Sequence, residues 1–367
     1  MKKLLLLLIT APFLFSSCEN DDAAPKITIE KVVEVADAYL VNYGSYSSTE
    51  GSISAFDIDG SKIYNSVYQL SNEVPMSGKP QYAYDYKGKT YFMGNAKDEI
   101  FYTDSDTLRQ TENGVSADII KPRFCIGHGD YLYISCYGGD VWDDSSLGYI
   151  AKFNTVTKTV EAKIDMPGGP EGLEIVNDKL YCALNYSKKI AVMDLASNAI
   201  TYIETPAVSS YFLKDDSNNL YVSLVSTYSD FSTETGLGYI NTNTDELSSI
   251  YKLGNVSTNY CSIMSFNSDK SKIFVSASSW VQKEDDSWVQ KGGVFEFNTD
   301  TKTFESEAFI SSIDGLNGVS VNPSTDDIYI LISESTTSTG LLQVYSEDGT
   351  LSNSYETGIS PYWILYR

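Results

Sequence analysis

The chain has 367 residues, is 42% hydrophobic and is rich in tyrosine (28) and phenylalanine (15), which gives ample apolar material for a large core. Its formal net charge of −23 argues against nucleic acid and anionic lipid as partners, because a field of the same sign repels both. Such a charge suits solubility at a cell surface and steers cationic ligands.

The N-terminus reads as a targeting segment. Met1-Lys2-Lys3 is a basic start, Leu4 to Leu8 with Ile9 an apolar run too short to span a bilayer, and Phe15-Ser16-Ser17-Cys18 has small residues before a cysteine. This predicts a signal peptide over 1–17 and an acylated Cys18 as the mature N-terminus; an ordinary secreted protein with an incidental Cys18 is the alternative. Glu19, Asn20, Asp21 and Asp22 resemble the acidic export signal of Bacteroidetes surface lipoproteins, with residues 18–36 as a tether. The expected location is the outer membrane, lipid-anchored and facing the exterior, and no other stretch approaches a transmembrane length.

From residue 37 onward one pattern repeats. It is most regular over Gly169–Ile200, where LEIV, KLYCAL, IAVMDL and a strand from Ala199 are separated by Asn/Asp/Ser turns. The second strand recurs around Tyr39, Tyr91, Tyr133, Tyr181, Tyr221, Phe274 and Tyr329, at intervals of 40 to 55 residues. A third and an outer strand follow each anchor, as in DEIFYTDSDTL, GYIAKFNTVTKTV and GGVFEFNTDTKTF. Seven such units predict an all-β seven-bladed β-propeller of four-stranded antiparallel blades over 37–367. The first blade lacks its own inner strand and SPYWILYR at the C-terminus supplies it, leaving few open sheet edges. Ile27 to Val35 is a competing strand for that place, and an open array of β-sandwich units is the competing architecture.

The stretches YLVNYGSYSSTEGSISAFD, GPEGLEIVNDKLYCALN and SPYWILYR resemble the YncE-like seven-bladed propellers, and more narrowly the surface lipoprotein propellers of Bacteroidetes. The likeness spans about Asp37 to Arg367. Its BtuG-type members capture cobalamin and other corrinoids and pass them to a TonB-dependent outer-membrane transporter. The resemblance therefore implies a non-enzymatic capture protein with a corrinoid as cargo, no resident cofactor, and that transporter as partner. An iron chelate, a glycan or a protein partner is the alternative cargo.

In a propeller the loops from outer to next inner strand, and from second to third strand, share one face, and a rigid scaffold positions them. Counting back from the anchors predicts a ring at the channel mouth of Gln81, Arg123, Glu171, Tyr211, Tyr260, Asn317 and Tyr362. Polar and aromatic residues there suit the amide periphery of a corrinoid; plugging the channel mouth is the competing role. On the ligand reading, Arg123→Ala and Tyr362→Ala weaken capture and barely move the melting temperature. The loops after the second strands add Tyr43, Tyr46, Tyr137, Trp142, Tyr186, Tyr228, Phe231, Trp280 and Trp288, as ligand contacts or as loop packing. The hairpin over 278–293 also reads as an extended β-arm.

Catalytic signals are few. The one histidine, His128, falls in a turn on the opposite face, so a Ser-His-Asp or Cys-His arrangement is hard to assemble. A lactonase- or lyase-like propeller chemistry at Glu171 and Asn317 is the enzymatic alternative. Asp140, Asp143, Asp144, Glu284, Asp285 and Asp286 are oxygen donors of the type Ca²⁺ takes, but match no Ca²⁺ loop spacing, and no metal site is expected. Cys125, Cys136, Cys182 and Cys261 lie in predicted strands without metal-ligand spacing and read as buried thiols.

Overall fold

The structure, a computed structural model, describes residues 28–57, 62–227, 234–254, 256, 262–284, 286 and 288–367. The signal segment, Cys18, Tyr228, Phe231, Tyr260, Cys261, Asp285 and the side chain of Trp280 lie outside the described residues. No described helix is long and apolar enough to cross a membrane.

Seven antiparallel sheets form the blades of a propeller. Their inner strands are Pro361–Tyr366, Pro80–Tyr86, Pro122–His128, Pro170–Val176, Val208–Lys214, Met264–Phe266 and Leu316–Val321, and each contacts the next until the ring closes. The C-terminal strand Pro361–Tyr366 pairs with Ala38–Asn42, as the sequence predicts, so both ends of the ring share blade one. The segment weighed as a competing strand is instead a helix, Ile29–Val35, started by Thr28, whose hydroxyl accepts from the Lys31 amide. The helix buries Val32 and Val33, so the folded body begins before residue 37. Arg367 ties it to the ring, donating from Nη1 to the Val33 carbonyl at 2.9 Å and the Tyr39 hydroxyl at 3.0 Å.

The blades depart from four strands in three places. Blade two has only Pro80–Tyr86, Lys89–Gly94 and Glu99–Asp104, with the single bridge Ile100–Val115 where an outer strand was expected. The reason is in the sequence: LRQTENG after Thr107 has no alternating apolar residues to hold a strand. In blades one and six the outer strand is split into Ile63–Tyr64 with Met76–Ser77, and Thr303–Phe304 with Ile310–Asp314. The 278–293 arm is real: Lys272–Gln282 and Trp288–Asn298 pair along their whole length.

The seven anchors are the packing unit. None of Tyr39, Tyr91, Tyr133, Tyr181, Tyr221, Phe274 and Tyr329 exceeds 2% exposure. A buried tyrosine needs a partner for its hydroxyl. The Tyr181 hydroxyl donates to Asp245 Oδ1 at 2.5 Å, in the next blade, and the Tyr221 hydroxyl accepts from Lys302 Nζ at 2.6 Å. The turn from third to outer strand is also repeated. Asp104, Asn154, Asp194 and Asn298 each accept, at a side-chain oxygen, the amides two and three residues on. Leu108, Lys158, Asn198 and Lys302 then take left-handed backbone at φ 56–61°, each donating its amide to the carbonyl of the residue that opened the turn.

Cys125, Cys136 and Cys182 are free, fully buried thiols. Burial pushes Cys136 up to about 12 and moves Cys125 and Cys182 above the usual thiol range, so no reactive thiolate forms near neutral pH. Iodoacetamide is expected to leave these three unmodified in the native protein and to label them after denaturation. Peptide mapping that finds any of them alkylated before unfolding would contradict the burial.

Candidate functional site

The ring positions follow from strand register. Each anchor pairs with an inner-strand residue: Tyr91 with Tyr84, Tyr133 with Ile126, Tyr181 with Glu174, Tyr221 with Leu213, Phe274 with Ser265, Tyr329 with Ser320 and Tyr39 with Leu365. Stepping back three residues from these partners gives Gln81, Arg123, Glu171, Ser210, Ser262, Asn317 and Tyr362. One described member of the sequence-derived ring therefore changes. Tyr211 gives way to Ser210 because the blade-five hairpin, turned by Asp215, is one residue longer than that of blade four. In blade six the register gives Ser262, while Tyr260 lies outside the described residues. In blades one to five and seven the register slips next to the ring position. Such a bulge re-aims a side chain out of the sheet's alternation. Gly172 follows Glu171 because a Cβ there would stand 2.4 Å from the Ser210 carbonyl of blade five.

Gln81, Arg123 and Glu171 are buried and bound to one another. Arg123 Nη1 donates to Gln81 Oε1 at 2.7 Å, and its Nε lies 3.0 Å from Glu171 Oε2. The Tyr137 hydroxyl donates to the same carboxylate at 2.5 Å, while the guanidinium lies 4.5 Å from the Tyr137 ring centroid. Tyr137 is thus a buried strut, not an exposed contact. Burial pushes the Glu171 carboxyl above the usual range, against the opposing pull of Arg123 and the hydrogen bonds it accepts. Both Glu171 carboxylate oxygens accept from Arg123 Nε, and Oε2 also accepts from Tyr137. On the far side of the ring, Asn317 Nδ2 donates to the Pro361 carbonyl at 2.5 Å.

The outward loops keep accessible aromatic surface. Tyr43 and Tyr362 are half-buried with ring centroids 5.8 Å apart, and Tyr46 is 80% exposed. Trp142 is 54% exposed; Lys121 Nζ lies 4.3 Å from its ring centroid and also pairs with Asp140. Tyr186 stands edge-on to Tyr137 at 5.9 Å. Trp288 is exposed at the end of the blade-six arm. The acidic loop residues have structural work: Asp144 caps the short turn of helix at Ser145–Leu147, accepting from the Ser146 amide at 3.0 Å. Among the described residues no group of three His, Cys, Asp or Glu is placed to hold a metal.

Sequence reasoning missed the opposite mouth of the channel. Two cavities of about 490 and 430 Å³ open there and share Tyr211. Tyr84, Phe124, His128, Glu174 and Lys214 line the first, and Met264, Phe266, Lys270 and Trp363 the second. Tyr211 packs 5.8 Å from Phe124 and 5.9 Å from Trp363, between the two cavities. Lys214 pairs with Glu174 at 2.8 Å and Lys270 with Asp216 at 2.6 Å, so these mouth lysines are neutralised.

No family model matches the chain, and no curated protein matches it in sequence. Solved structures match in shape. A putative 6-phosphogluconolactonase from Bacteroides fragilis aligns over 91% of this chain and 99% of its own, with a TM-score of 0.63 and 11% identity. Kuenenia stuttgartiensis hydrazine synthase aligns over 78% of this chain and 88% of its own, with a TM-score of 0.61 and 13% identity. A streptogramin B lyase aligns over 88% of both chains, with a TM-score of 0.52 and 12% identity. At such identities the likeness establishes the β-propeller fold and nothing of the chemistry.

Proposed function

We propose that this propeller is a non-enzymatic capture module that takes a flat, amphipathic small molecule on the face bearing Tyr43, Tyr46 and Trp142. A corrinoid is the first candidate, delivered from a lipid anchor at Cys18 to a TonB-dependent outer-membrane transporter. The observation that carries the reading is the aromatic surface on that face, with Tyr46 and Trp142 exposed and each within reach of a lysine ammonium. Aromatic side chains give large contact area for few rotatable bonds, which suits a rigid macrocycle. The acidic tether and the resemblance of the blade motifs to corrinoid-capturing lipoproteins support the choice of cargo. Glu171, on which a lactonase- or lyase-like step would turn, is committed to Arg123 and Tyr137, which favours binding over catalysis.

Titrating the purified protein with cyanocobalamin is expected to give saturable binding at micromolar concentration. Trp142→Ala should raise the dissociation constant about fivefold or more, the loss of about 1 kcal/mol of stacking contact. Absence of both heat and spectral change at micromolar concentration would overturn the corrinoid assignment.

A further inference from the structure

Lysines of this acidic chain commonly lie against a carboxylate: Lys87 on Asp130 at 2.5 Å, Lys179 on Asp245 at 2.5 Å, Lys214 on Glu174 at 2.8 Å and Lys270 on Asp216 at 2.6 Å. Lys79 is different. It precedes the blade-two inner strand and is only 5% exposed, yet among the described residues it makes no ion pair and no hydrogen bond. Its ammonium is held by two rings, 4.5 Å from the Tyr43 centroid and 5.2 Å from that of Tyr46. Aromatic faces attract a cation without neutralising it. Desolvation accordingly lowers the Lys79 pKa, as expected for a charge with no counterion.

Lys79 sits at φ +49°, just before the inner-strand proline. The equivalent places hold Ser360 at φ +54° and Lys121 at φ +49° in blades one and three, and glycines in blades four and seven, Gly169 at φ +71° and Gly315 at φ +74°. Left-handed backbone costs a residue with a Cβ of the order of 1 kcal/mol more than it costs glycine. Of the two lysines in this position, Lys121 pairs with Asp140, whereas the Lys79 ammonium faces the Tyr43 and Tyr46 rings.

We infer that Lys79, clasped by Tyr43 and Tyr46, is a receptor for an oxyanion, a phosphate ester or a carboxylate, carried on an aromatic or otherwise flat body. The unused ammonium donors give charge-assisted hydrogen bonds to the oxyanion. Tyr43 and the neighbouring Tyr362 supply ring surface for the body to pack on. The inference rests on the face chosen above and does not require a corrinoid, although the phosphodiester of a complete corrinoid belongs to this class.

Phenyl phosphate, inorganic phosphate and phenol are the probes, titrated calorimetrically into the purified protein. Saturable binding of phenyl phosphate is expected, weaker binding of phosphate, and none of phenol. Lys79→Met should weaken phenyl phosphate at least about tenfold, equivalent to about 1.4 kcal/mol. Lys79→Arg, which keeps the cation, should stay within about threefold of the parent protein. Equal binding by Lys79→Met and the parent, or no binding of either phosphate by the parent, overturns the receptor. Cyanocobalamin and dicyanocobinamide, which lacks the phosphodiester, separate this from the cargo assignment. If cyanocobalamin does not bind while phenyl phosphate binding still depends on Lys79, the corrinoid falls and the receptor stands. If cyanocobalamin binds equally well to Lys79→Met and the parent, the receptor falls and the cargo stands.

Discussion

Removing residues 361–367 is expected to abolish cooperative unfolding, the largest effect of any change considered. Those residues form the inner strand of blade one and pair with Ala38–Asn42 from the other end of the chain. The Trp363 indole donates to the Ala83 carbonyl of blade two at 3.0 Å, and its ring packs on Tyr82 at 4.9 Å and Tyr211 at 5.9 Å. Ile364 is 3% exposed, and Arg367 holds the N-terminal helix through the Val33 carbonyl. Burying one large apolar side chain contributes about 1.5–3 kcal/mol, so losing Trp363, Ile364 and Leu365 together with a strand ladder approaches the 5–15 kcal/mol that holds a typical domain folded. The truncated chain should also leave the edge of Ala38–Asn42 open and bind a hydrophobic dye or associate. A sharp thermal transition at the parent's midpoint would show that the ring closes without this strand.

The closure was legible because it rests on composition: blade one lacks an inner strand before Tyr39, and SPYWILYR has the pattern of one. The anchors were legible for a similar reason, since an aromatic at the centre of an apolar second strand recurs whatever the loops do. Blade two's missing outer strand was not, because DEIFYTDSDTL contains the turn signal but the residues after it lack the alternation that signal seemed to promise. The ring was half legible. Gln81, Arg123, Glu171, Asn317 and Tyr362 are placed by register where counting puts them, whereas Tyr211 is one residue off because hairpin length is set by turn chemistry such as that at Asp215. What no counting reveals is whether a ring side chain faces a ligand or its neighbour. Arg123 and Glu171 lie 48 residues apart in sequence and neutralise each other only once two bulged strands meet at the axis. Lys79 escaped notice for the same reason: its isolation from carboxylates is a property of the folded surface.

Arg123→Ala is expected to lower the unfolding free energy by about 3–5 kcal/mol, reversing the sequence-based expectation that stability would barely change. The guanidinium side chain is 7% exposed and the Glu171 carboxylate 4%. Deleting the arginine leaves a buried carboxyl with the Tyr137 hydroxyl as its remaining side-chain donor and strips Gln81 Oε1 of a bond. Because unfolding entropy grows with chain length, that loss corresponds to about 4–7 °C in melting temperature for a domain of this size. Replacing both charges, as in Arg123→Met with Glu171→Leu, should recover most of the deficit, since a buried ion pair and a well-packed apolar pair of similar volume differ little in net stability. A thermal midpoint for Arg123→Ala within 1 °C of the parent, equivalent to about 0.7 kcal/mol by the same scaling, would mean that the pair is solvated and available to a ligand. The two outcomes also divide the functional readings. If the ion pair carries stability, recognition belongs to the outward aromatics and Lys79, and Trp142→Ala will weaken cargo without moving the midpoint. If it does not, the channel mouth itself is the binding surface.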